Sequence, residues 1–432
     1  MSVSARRKSA QDYYGFIKDP IHGYVRITQT EKAIIDTRPL QRLRRIRQLA
    51  GSEYVYPAAN HTRFEHVLGA MYLAGVLADT LPTDLPLQER HELRIAALIH
   101  DIGHGPFSHV FEPLMMKYLR KTHEDLVPWL VSKTELADVL EKHGFDSKRM
   151  GRLAVGHVGD RRRPYLDQVI SSSIDVDKMD FLVRDSFHTG AGYGSIDVYR
   201  LLYSMDILDG NLAVDGTAIA ALESFLLARI ESFRTIYFHR ASRAVQIMLV
   251  KALEAAKDEL ELLNFDDPEG FLRLDDYSVW TGLKECRKSR AIMIDLELRR
   301  LLKCTYERTV YATEELVSNV ITKQTVRDNI QKEIARKAKV PEEDVIIDVP
   351  TLPSVPYHRT VEMRPLDIPV FLRLSQGRKR KAQLAEVSRI GFVLQAFMNI
   401  IRVYTKEKYR DRVEQVSKQI LGETPVSAKI SV

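Results

Sequence analysis

The sequence predicts a mainly α-helical fold with a smaller lobe of mixed α and β structure at its C-terminal end. Two observations support this class: apolar residues recur at helical spacing through roughly the first 260 of the 432 residues, and β-rich runs follow only after them. The composition, 45% hydrophobic and 28% charged, is that of an ordinary globular protein and excludes disorder along the whole chain.

Helices are predicted in the first part of the chain where an apolar stripe is closed by a helix-breaking residue. Pro82 and Pro86 end the stripe that begins at Phe64, and Gly103 ends the next one. The predicted helices are Thr30–Ala50, Phe64–Leu81, Glu89–Ile102, Ser132–Glu141, Tyr165–Ser172, Val176–Ser186 and Leu222–Glu261.

The sequence pattern changes near Asp266, where shorter helical patterns alternate with β-rich runs. The predicted strands are Asp344–Pro350, Thr360–Met363, Val370–Leu374 and Ile401–Thr405, and the predicted helices are Tyr277–Lys284, Arg290–Leu302, Lys323–Ala338, Val387–Ile400 and Tyr409–Ile420. We therefore predict a flexible N-terminus over residues 1–11, a helical domain over residues 12–265 and an α+β lobe over residues 266–432.

The composition also excludes several classes of protein. Cys286 and Cys304 are the only cysteines, which rules out a disulfide scaffold and a cysteine-rich zinc fold and predicts a reducing, cytoplasmic compartment. No run of about 18 apolar residues occurs, so no membrane helix is predicted. The formal net charge of +6 permits an anionic partner such as a nucleotide or nucleic acid, and is equally compatible with a slightly basic surface.

Closely spaced histidines carry the main chemical signal. His100 and Asp101 are adjacent at the end of an apolar helix, where an imidazole nitrogen and a carboxylate oxygen can bind one ion. Glycines follow within a few residues and release the chain, so His104 and His109 can turn back toward that ion.

Other segments supply further ligands of the same kind. His66 lies in the first turn of an apolar helix, and Asp175, Asp177 and Asp180 follow one another at the start of a later helix. A single buried histidine is usually a core residue, and a single His-Asp pair occurs by chance in many chains. The combination on three helices predicts a site for a divalent metal: Mn, Mg, Fe or Zn.

The order His66, His100-Asp101, Asp177 resembles the H…HD…D signature of the HD superfamily of metal-dependent phosphohydrolases. Longer segments are similar to the deoxynucleoside triphosphate triphosphohydrolases of that superfamily, and to the HD domain and C-terminal lobe of its mammalian member that also has a SAM domain. The similarity runs from about Gly15 to Tyr404, without the SAM domain, and makes residues 12–265 the HD phosphohydrolase domain. The segments are Lys18-Asp-Pro-Ile-His-Gly23, Gln41-Arg-Leu-Arg44, Asn60-His-Thr-Arg-Phe-Glu-His66, His100-Asp-Ile-Gly-His-Gly-Pro-Phe-Ser-His109, Thr122-His-Glu124, Ile174-Asp-Val-Asp-Lys-Met-Asp180, Asp344-Val-Ile-Ile-Asp-Val349 and Ile401-Arg-Val-Tyr404.

The resemblance implies roles for individual residues. The metal ligands would be His66, His100, Asp101 and Asp177. The family's active-site histidines match His104, His109 and His123; His104 would face the α-phosphate, and His123, held by Glu124, would act as an acid or orient water. In this family, water attacks the α-phosphorus of a dNTP and yields deoxynucleoside and inorganic triphosphate.

The same comparison implies a substrate site. The residues that match phosphate-contacting positions are Arg63, Lys178 and Arg229, whose charges suit a triphosphate. Gln48, next to Leu49, and Asp185 match residues that recognise the 3′-hydroxyl, and Tyr237 matches a tyrosine that packs on the sugar. Phe181 stands where the mammalian protein has a nucleotide-contacting tyrosine, which removes one hydrogen bond worth roughly 0.5–1.5 kcal/mol.

The resemblance also suggests nucleotide activation of an oligomer, a dimer or a tetramer. Asp36, Gln41 and Arg44 match positions that read guanine in an activating site for GTP or a dNTP. Gly15 stands where a phosphate-contacting lysine is expected, so activation should be weaker or altered. The alternative is that the arginines of this segment only solvate a helix.

Two other functions remain open at this stage. The chain could be an HD phosphohydrolase acting on another nucleotide phosphoester, or a nucleic-acid-binding protein with a relict metal site. The basic runs Arg161–Arg163 and Arg378–Lys381 lack the interleaved aromatic residues that stack on bases, which favours solvated loops.

Overall fold

The computed structural model describes residues 13–81, 85–312, 323–350, 368–389 and 397–423. The predicted flexible N-terminus and the predicted strand Thr360–Met363 lie outside these residues, as do residues 390–396 of the predicted helix Val387–Ile400. Among the residues that are described, no helix combines the length and hydropathy needed to cross a bilayer.

Most of the described chain up to residue 297 is helical, which confirms the predicted fold class. The helices in this part are α1 (Gln29–Ile35), α2 (Arg38–Arg42), α3 (Arg63–Thr80), α4 (Leu87–Ile99), α5 (Glu112–Leu119), α6 (His123–Lys133), α7 (Glu135–Lys142), α8 (Ser147–Leu153), α9 (Tyr165–Ile170), α10 (Val176–Thr189), α11 (Val198–Leu202), α12 (Ile219–Ser232), α13 (Arg240–Ala256), α14 (Pro268–Leu272), α15 (Asp276–Glu285) and α16 (Arg290–Glu297).

Helix α3 packs against both α4 and α10 around one large apolar core, and the predicted metal ligands lie on α3, on α10 and directly after α4. Thr62 and Glu65 form a capping box that fixes the start of α3, and the Asp175 side chain caps α10 by accepting from the Lys178 amide. Helices α3 and α10 approach closely at Gly69, where a Cβ atom would lie 1.9 Å from Oδ1 of Asp180. Only glycine therefore allows this packing, which places the start of α3 beside the start of α10.

The strands form three small sheets. A hairpin joins β1 (Tyr13–Asp19) and β2 (Gly23–Thr28); β3 (Met205–Leu208), β4 (Asn211–Asp215), β7 (Pro369–Arg373) and β8 (Lys379–Gln383) form a four-stranded sheet in that order; and β5 (Lys303–Ala312), β9 (Phe397–Thr405) and β6 (Val345–Asp348) form an antiparallel three-stranded sheet.

The three-stranded sheet packs against α17 (Gln324–Ala338) and α19 (Arg410–Leu421), while the short helix α18 (Leu384–Val387) follows β8. This lobe has its own apolar core, which includes Tyr306, Ile334, Val345, Val403 and Val413. Its sheet is tied to α13 by ion pairs, since Arg243 contacts Asp348 at 2.6 Å and Arg240 contacts Glu307 at 2.9 Å. The α+β lobe is thus present as predicted, while its boundary near residue 266 stays a prediction.

Several predicted elements are interrupted. The predicted helix Thr30–Ala50 is wrong as one element: α1 ends at Ile35, Thr37 is extended, and α2 begins at Arg38 with Pro39 in its first turn. A proline lacks the amide hydrogen of a helix interior, so it fits only the first turn of a new helix. The predicted helix Ser132–Glu141 is divided at Thr134, whose extended backbone and side chain cap α7.

The predicted helix Leu222–Glu261 is also not continuous. A π-helical turn, Phe233–Tyr237, follows α12, and His239 is extended and caps the start of α13 through its ring. In the C-terminal lobe, Phe397–Ile400 belongs to β9 and not to the predicted helix, because this segment pairs along its length with β5. The predicted strand Val370–Leu374 is confirmed as β7, shifted by one residue.

Candidate metal centre and active site

His66 and His100 both direct one ring nitrogen toward the predicted metal site. Nδ1 of His66 lies 2.8 Å from Oδ2 of Asp180, and Nδ1 of His100 lies 2.7 Å from the carbonyl oxygen of Ala97. A ring that donates its Nδ1 hydrogen to an acceptor keeps a lone pair on Nε2, the arrangement found in metal-ligating histidines. In the described part of the chain, both Nε2 atoms are buried and have no hydrogen-bond partner.

Two carboxylates converge on these Nε2 atoms. Oδ1 of Asp177 lies 3.0 Å from Nε2 of His66 and 3.6 Å from Nε2 of His100, and Oδ1 of Asp101 lies 3.4 Å from Nε2 of His100. Donor atoms bound to one Zn²⁺-sized ion are themselves roughly 3–3.5 Å apart. The four predicted ligands are therefore brought together, and their two nitrogen and two oxygen donors fit a divalent metal.

The electrostatics of this cluster favour a cation. Burial lowers the pKa of His66, but the adjacent carboxylates Asp177 and Asp180 raise it to about 10. Burial also opposes ionisation of Asp101, yet the positive charges of Arg63 and His100 hold its pKa well below the ordinary value. The carboxylates thus attract positive charge at the point where a metal ion would be held.

A buried network supports His66, a predicted metal ligand, on its Nδ1 side. Asp180 accepts two hydrogen bonds from Arg184, from Nε at 2.8 Å and from Nη2 at 3.0 Å, and its Oδ1 lies 2.6 Å from Nε2 of His22. Arg184 also donates to Asp19 at 2.9 Å. Because this network uses both oxygens of Asp180, the orientation of the His66 ring is fixed.

His104, His109 and His123 form a second group beside the metal centre. The rings of His104 and His123 stack with centroids 3.8 Å apart, and the ring of His109 meets them edge-on. Nε2 of His104 lies 3.3 Å from Oδ1 of Asp101, which joins the two groups. Burial lowers the pKa of His104 well below its ordinary value, and the positive charge of Arg63 acts in the same direction.

Glu112 holds two of these histidines. Its carboxylate lies 2.7 Å from Nδ1 of His123 and 3.0 Å from Nδ1 of His109. Burial lowers the pKa of His123, but the hydrogen bond and the charge of Glu112 outweigh it and raise that pKa. Glu124, which was predicted to hold His123, lines the same cavity, and its charge also raises the pKa of His123. Sequence reasoning missed Glu112, although it lies three residues after His109, in the first turn of α5.

The three predicted phosphate-binding cations lie near the metal centre. Arg63 is buried; it donates from Nε to Oγ of Ser108 at 2.8 Å and from Nη1 to Oδ2 of Asp101 at 2.5 Å. Lys178 is also buried and donates to Asp175 at 2.6 Å. Burial lowers the pKa of Arg229, although the charge of Asp175 opposes this change.

Predicted sugar-recognising residues gather further along α10, where Phe181 and Asp185 follow Asp177 at intervals of four residues. The Tyr237 hydroxyl donates to Oδ2 of Asp185 at 2.6 Å, while Nε2 of His61 lies 2.7 Å from Oδ1 of the same carboxylate. The Tyr237 ring is 6.3 Å from that of Phe181, and it packs against a small cluster that contains Leu49. The π-helical turn at the end of α12 brings Tyr237 to this position.

A cavity of about 130 Å³ lies between these groups. The predicted site residues that line it are Gln48, Arg63, His100, Asp101, His104, His109, His123, Glu124, Asp177, Lys178 and Phe181. Oε1 of Gln48 is buried and has no hydrogen-bond partner among the described residues. The lining does not include the other predicted site residues of this part of the chain, which are His66, Leu49, Asp185, Arg229 and Tyr237.

The predicted activating-site residues lie away from this cavity. Arg44 donates to Gln41 at 3.0 Å and covers the Phe64 ring at 3.6 Å, whereas Asp36 pairs with Lys32. Arg44 also lines a larger cavity of about 830 Å³, on the far side of Phe107.

The fold and the site are those of an HD-domain protein. Residues 63–185 match the HD domain, and residues 196–430, more than half of the chain, match the HD associated region. The chain therefore belongs to the family of proteins in which an HD domain precedes an HD associated region, which confirms the predicted membership of the HD superfamily.

Individual relatives are similar over different parts of the chain. An uncharacterized protein of Methanocaldococcus jannaschii is 34% identical over 60% of this chain, and the chain spans only 55% of that relative. Human deoxynucleoside triphosphate triphosphohydrolase SAMHD1 is 29% identical over 90% of this chain and 70% of the human protein. The crystal structure of a phosphohydrolase from Bacteroides thetaiotaomicron superposes with a TM-score of 0.70 at 25% identity, covering 91% of this chain and 99% of that one.

Proposed function

We propose that this protein is a metal-dependent phosphohydrolase that cleaves dNTPs to deoxynucleoside and inorganic triphosphate. The observation that carries the dNTP assignment is the hydrogen bond of 2.6 Å between Tyr237 and Asp185, beside Phe181, which lines the cavity. A tyrosine–carboxylate pair at this place can contact the edge of a deoxyribose. A phosphoester without a sugar would have no group for this pair to bind.

Four residues of this chain would hold the metal: His66, His100, Asp101 and Asp177. A bound divalent ion supplies Lewis-acid chemistry, polarising a phosphoryl oxygen and lowering the pKa of a water molecule. The unpartnered Nε2 atoms of the two histidines support this assignment.

The buried cations would bind the triphosphate. Arg63 and Lys178 line the cavity, and Arg229 lies near Asp175 and Tyr237. The buried Nη2 of Arg63 has no hydrogen-bond partner in the described structure and is available to a phosphate oxygen. The cavity is smaller than the roughly 300–1,000 Å³ of typical ligand pockets, so a nucleotide would extend past it toward the exposed His109.

The group of His104, His109 and His123 would supply the proton that the leaving group needs. Attack of water at the α-phosphorus breaks the bond to the 5′-oxygen, which then needs a proton. His123, whose pKa is raised by Glu112, would carry that proton, whereas the neutral ring of His104 would donate a hydrogen bond to the α-phosphate.

The sugar side of the site would exclude a 2′-hydroxyl. Tyr237 is fixed by Asp185, and Phe181 packs near it, so this wall has little room to move. Gln48 and Asp185 would bind the 3′-hydroxyl; the unpartnered oxygen of Gln48 supports this role.

Product analysis tests the proposal. Purified protein is incubated with each dNTP and with Mn or Mg, and Asp177→Asn serves as the inactive control. Deoxynucleoside plus triphosphate is the expected result. Monophosphate plus pyrophosphate would place the cleavage elsewhere, and no turnover of any dNTP by metal-loaded protein would favour another nucleotide phosphoester or the nucleic-acid-binding alternative.

Nucleotide activation of an oligomer is a separate proposal. Asp36, Gln41 and Arg44 would read the activating base, and the contact between Gln41 and Arg44 supports a shared role. Activity is titrated against GTP and each dNTP while the oligomeric state is followed by sedimentation. Hyperbolic kinetics without any activator effect would exclude it. The cytoplasmic location likewise stays a prediction.

A further inference from the structure

The chain makes a strained turn just after the metal-ligating His100-Asp101 pair. Phe107 and Ser108 have φ angles of 58° and 55°, both in the left-handed region that residues with a side chain rarely adopt. Two consecutive residues in this conformation persist only when surrounding contacts hold them there.

Asp276, the first residue of α15, makes one of these contacts. Its Oδ1 accepts the Phe107 amide at 2.6 Å and its Oδ2 accepts the Arg47 amide at 2.9 Å. The carboxylate is buried, so its two oxygens are committed to the backbone of two distant segments.

The turn leads directly to the active site. Oγ of Ser108 donates to the Arg47 carbonyl at 2.5 Å and accepts from Nε of Arg63 at 2.8 Å. Arg63 in turn donates to the metal ligand Asp101 at 2.5 Å. A continuous path of hydrogen bonds and one short turn therefore joins Asp276 to the metal centre.

A second buried residue holds the same segment from another direction. Arg42 donates to the carbonyl of His104 at 2.8 Å and to that of Leu274 at 2.7 Å. Leu274 and Asp276 are two residues apart. The contacts of Arg42 and of Asp276 therefore both connect residues 104–108 with the start of α15.

We propose that Asp276 is a positioning residue for this active site. It holds the turn at Phe107 and Ser108, and Ser108 then sets the guanidinium group of Arg63 against Asp101 and the substrate phosphates. The phosphate contact rests on the proposed function, whereas the contact with the turn does not.

A double-mutant cycle tests the path from Asp276 to Arg63. Asp276→Asn keeps one acceptor but places an amide group against a backbone amide, and Ser108→Ala removes the next step of the path. Each variant should lower kcat/KM by about 10- to 100-fold, the effect of displacing a catalytic group by about 1 Å. The double variant should lose little more than one single variant, whereas independent, additive losses would overturn the proposal.

The neighbouring residue offers a matched control. Asp275 also lies at the start of α15, where it caps the helix and pairs with the partly exposed Arg45. Asp275→Asn keeps the cap and should leave kcat/KM unchanged. The conservative variant Asp276→Glu keeps two acceptors and should recover most of the activity that Asp276→Asn loses. Equal losses of kcat/KM in Asp276→Asn and Asp276→Glu would contradict a positioning role. If Asp276→Asn does not fold, the activity of Asp276→Glu still tests the proposal.

Hydrogen exchange tests the contact without any substrate. The peptide over residues 104–111 and the peptide that contains Arg47 should exchange faster in Asp276→Asn than in the wild type and in Asp275→Asn, while peptides far from Asp276 keep their rates. Unchanged exchange in the peptide over residues 104–111 would overturn the proposal. Faster exchange in a protein that hydrolyses no dNTP would keep the positioning role and reject the proposed function instead.

Discussion

The carboxylate of Asp180 lies 2.8 Å from Nδ1 of His66, one turn of α10 beyond the proposed metal ligand Asp177. The same carboxylate binds Arg184 and His22, so a single residue joins the proposed metal ligand on α3 to the N-terminal hairpin. Asp180 is therefore the residue that sets the tautomer and direction of the His66 ring.

The first prediction concerns metal affinity. Asp180→Asn should weaken Mn binding by about 10- to 100-fold, the usual effect of losing a residue that orients a metal ligand. Competition with a chelator measures the affinity. Asp258→Asn, at an exposed site beside Lys257, is the control and should bind Mn as the wild type does. Equal affinity in both variants would show that His66 needs no such support.

The second prediction concerns the pH dependence of hydrolysis. Glu112 raises the pKa of His123, and a histidine that acts as an acid is active below its pKa. Activity should therefore fall as the pH rises through that pKa. Glu112→Gln removes the charge and lowers the pKa, so the alkaline limb of the profile of kcat against pH should move to lower pH.

An exposed glutamate provides the control for this shift. Glu254 pairs with Lys117 on the surface, and Glu254→Gln should leave the pH profile in place. An alkaline limb that does not move in Glu112→Gln would assign the proton transfer to another group.

The third prediction concerns sugar selection. Tyr237→Phe keeps the ring but removes the hydrogen bond to Asp185, which is worth about 1.5–3 kcal/mol when the acceptor is charged. Discrimination between a dNTP and the matching ribonucleotide, measured as the ratio of kcat/KM values, should fall by about 10-fold or more. Tyr277→Phe, at an exposed tyrosine on α15, should not change the ratio. An unchanged ratio in Tyr237→Phe would remove the main support for the dNTP assignment.

The fourth prediction concerns stability and pH. Burial raises the pKa of Asp276 from 3.8 to about 6, although hydrogen bonds from the Phe107 and Arg47 amides oppose the change. The folded state then binds a proton that the unfolded state releases, so this residue's contribution to stability is complete below about pH 4 and is lost as the pH rises to about 6. The loss is about 3 kcal/mol.

Thermal unfolding between pH 4 and pH 7 measures this effect. The fall in Tm across this range should be smaller in Asp276→Asn than in the wild type, because the variant has no group to titrate at this position. Asp275→Asn should keep the wild-type slope. Parallel curves for all three proteins would mean that Asp276 titrates as an ordinary surface carboxylate.

The sequence was sufficient to predict that the four proposed metal ligands meet, because they all lie in short motifs in or next to helices. His66, His100, Asp101 and Asp177 are brought together as expected. Glu112 was missed because its importance depends on where α5 and α6 meet, which no local pattern reveals. The contact between Asp276 and Phe107 joins residues 169 positions apart and could be seen only in three dimensions.

The hairpin of β3 and β4 was also not predicted, although the sequence contains a signal for it. Asp209-Gly210 separates two apolar runs, and both residues have positive φ angles, as a two-residue hairpin turn requires. The π-helical turn at Phe233–Tyr237 had no comparable signal, because its residues also suit a regular helix. Tertiary packing decided its geometry.

That turn connects the proposed sugar site with the C-terminal sheet. Tyr237 ends the π-helical turn, and only three residues later Arg240 begins α13 and pairs with Glu307 of the sheet. A rotation of the C-terminal lobe against the helical part would therefore displace Tyr237 and change the width of the proposed sugar site. The four proposed metal ligands lie on other segments and would keep their positions.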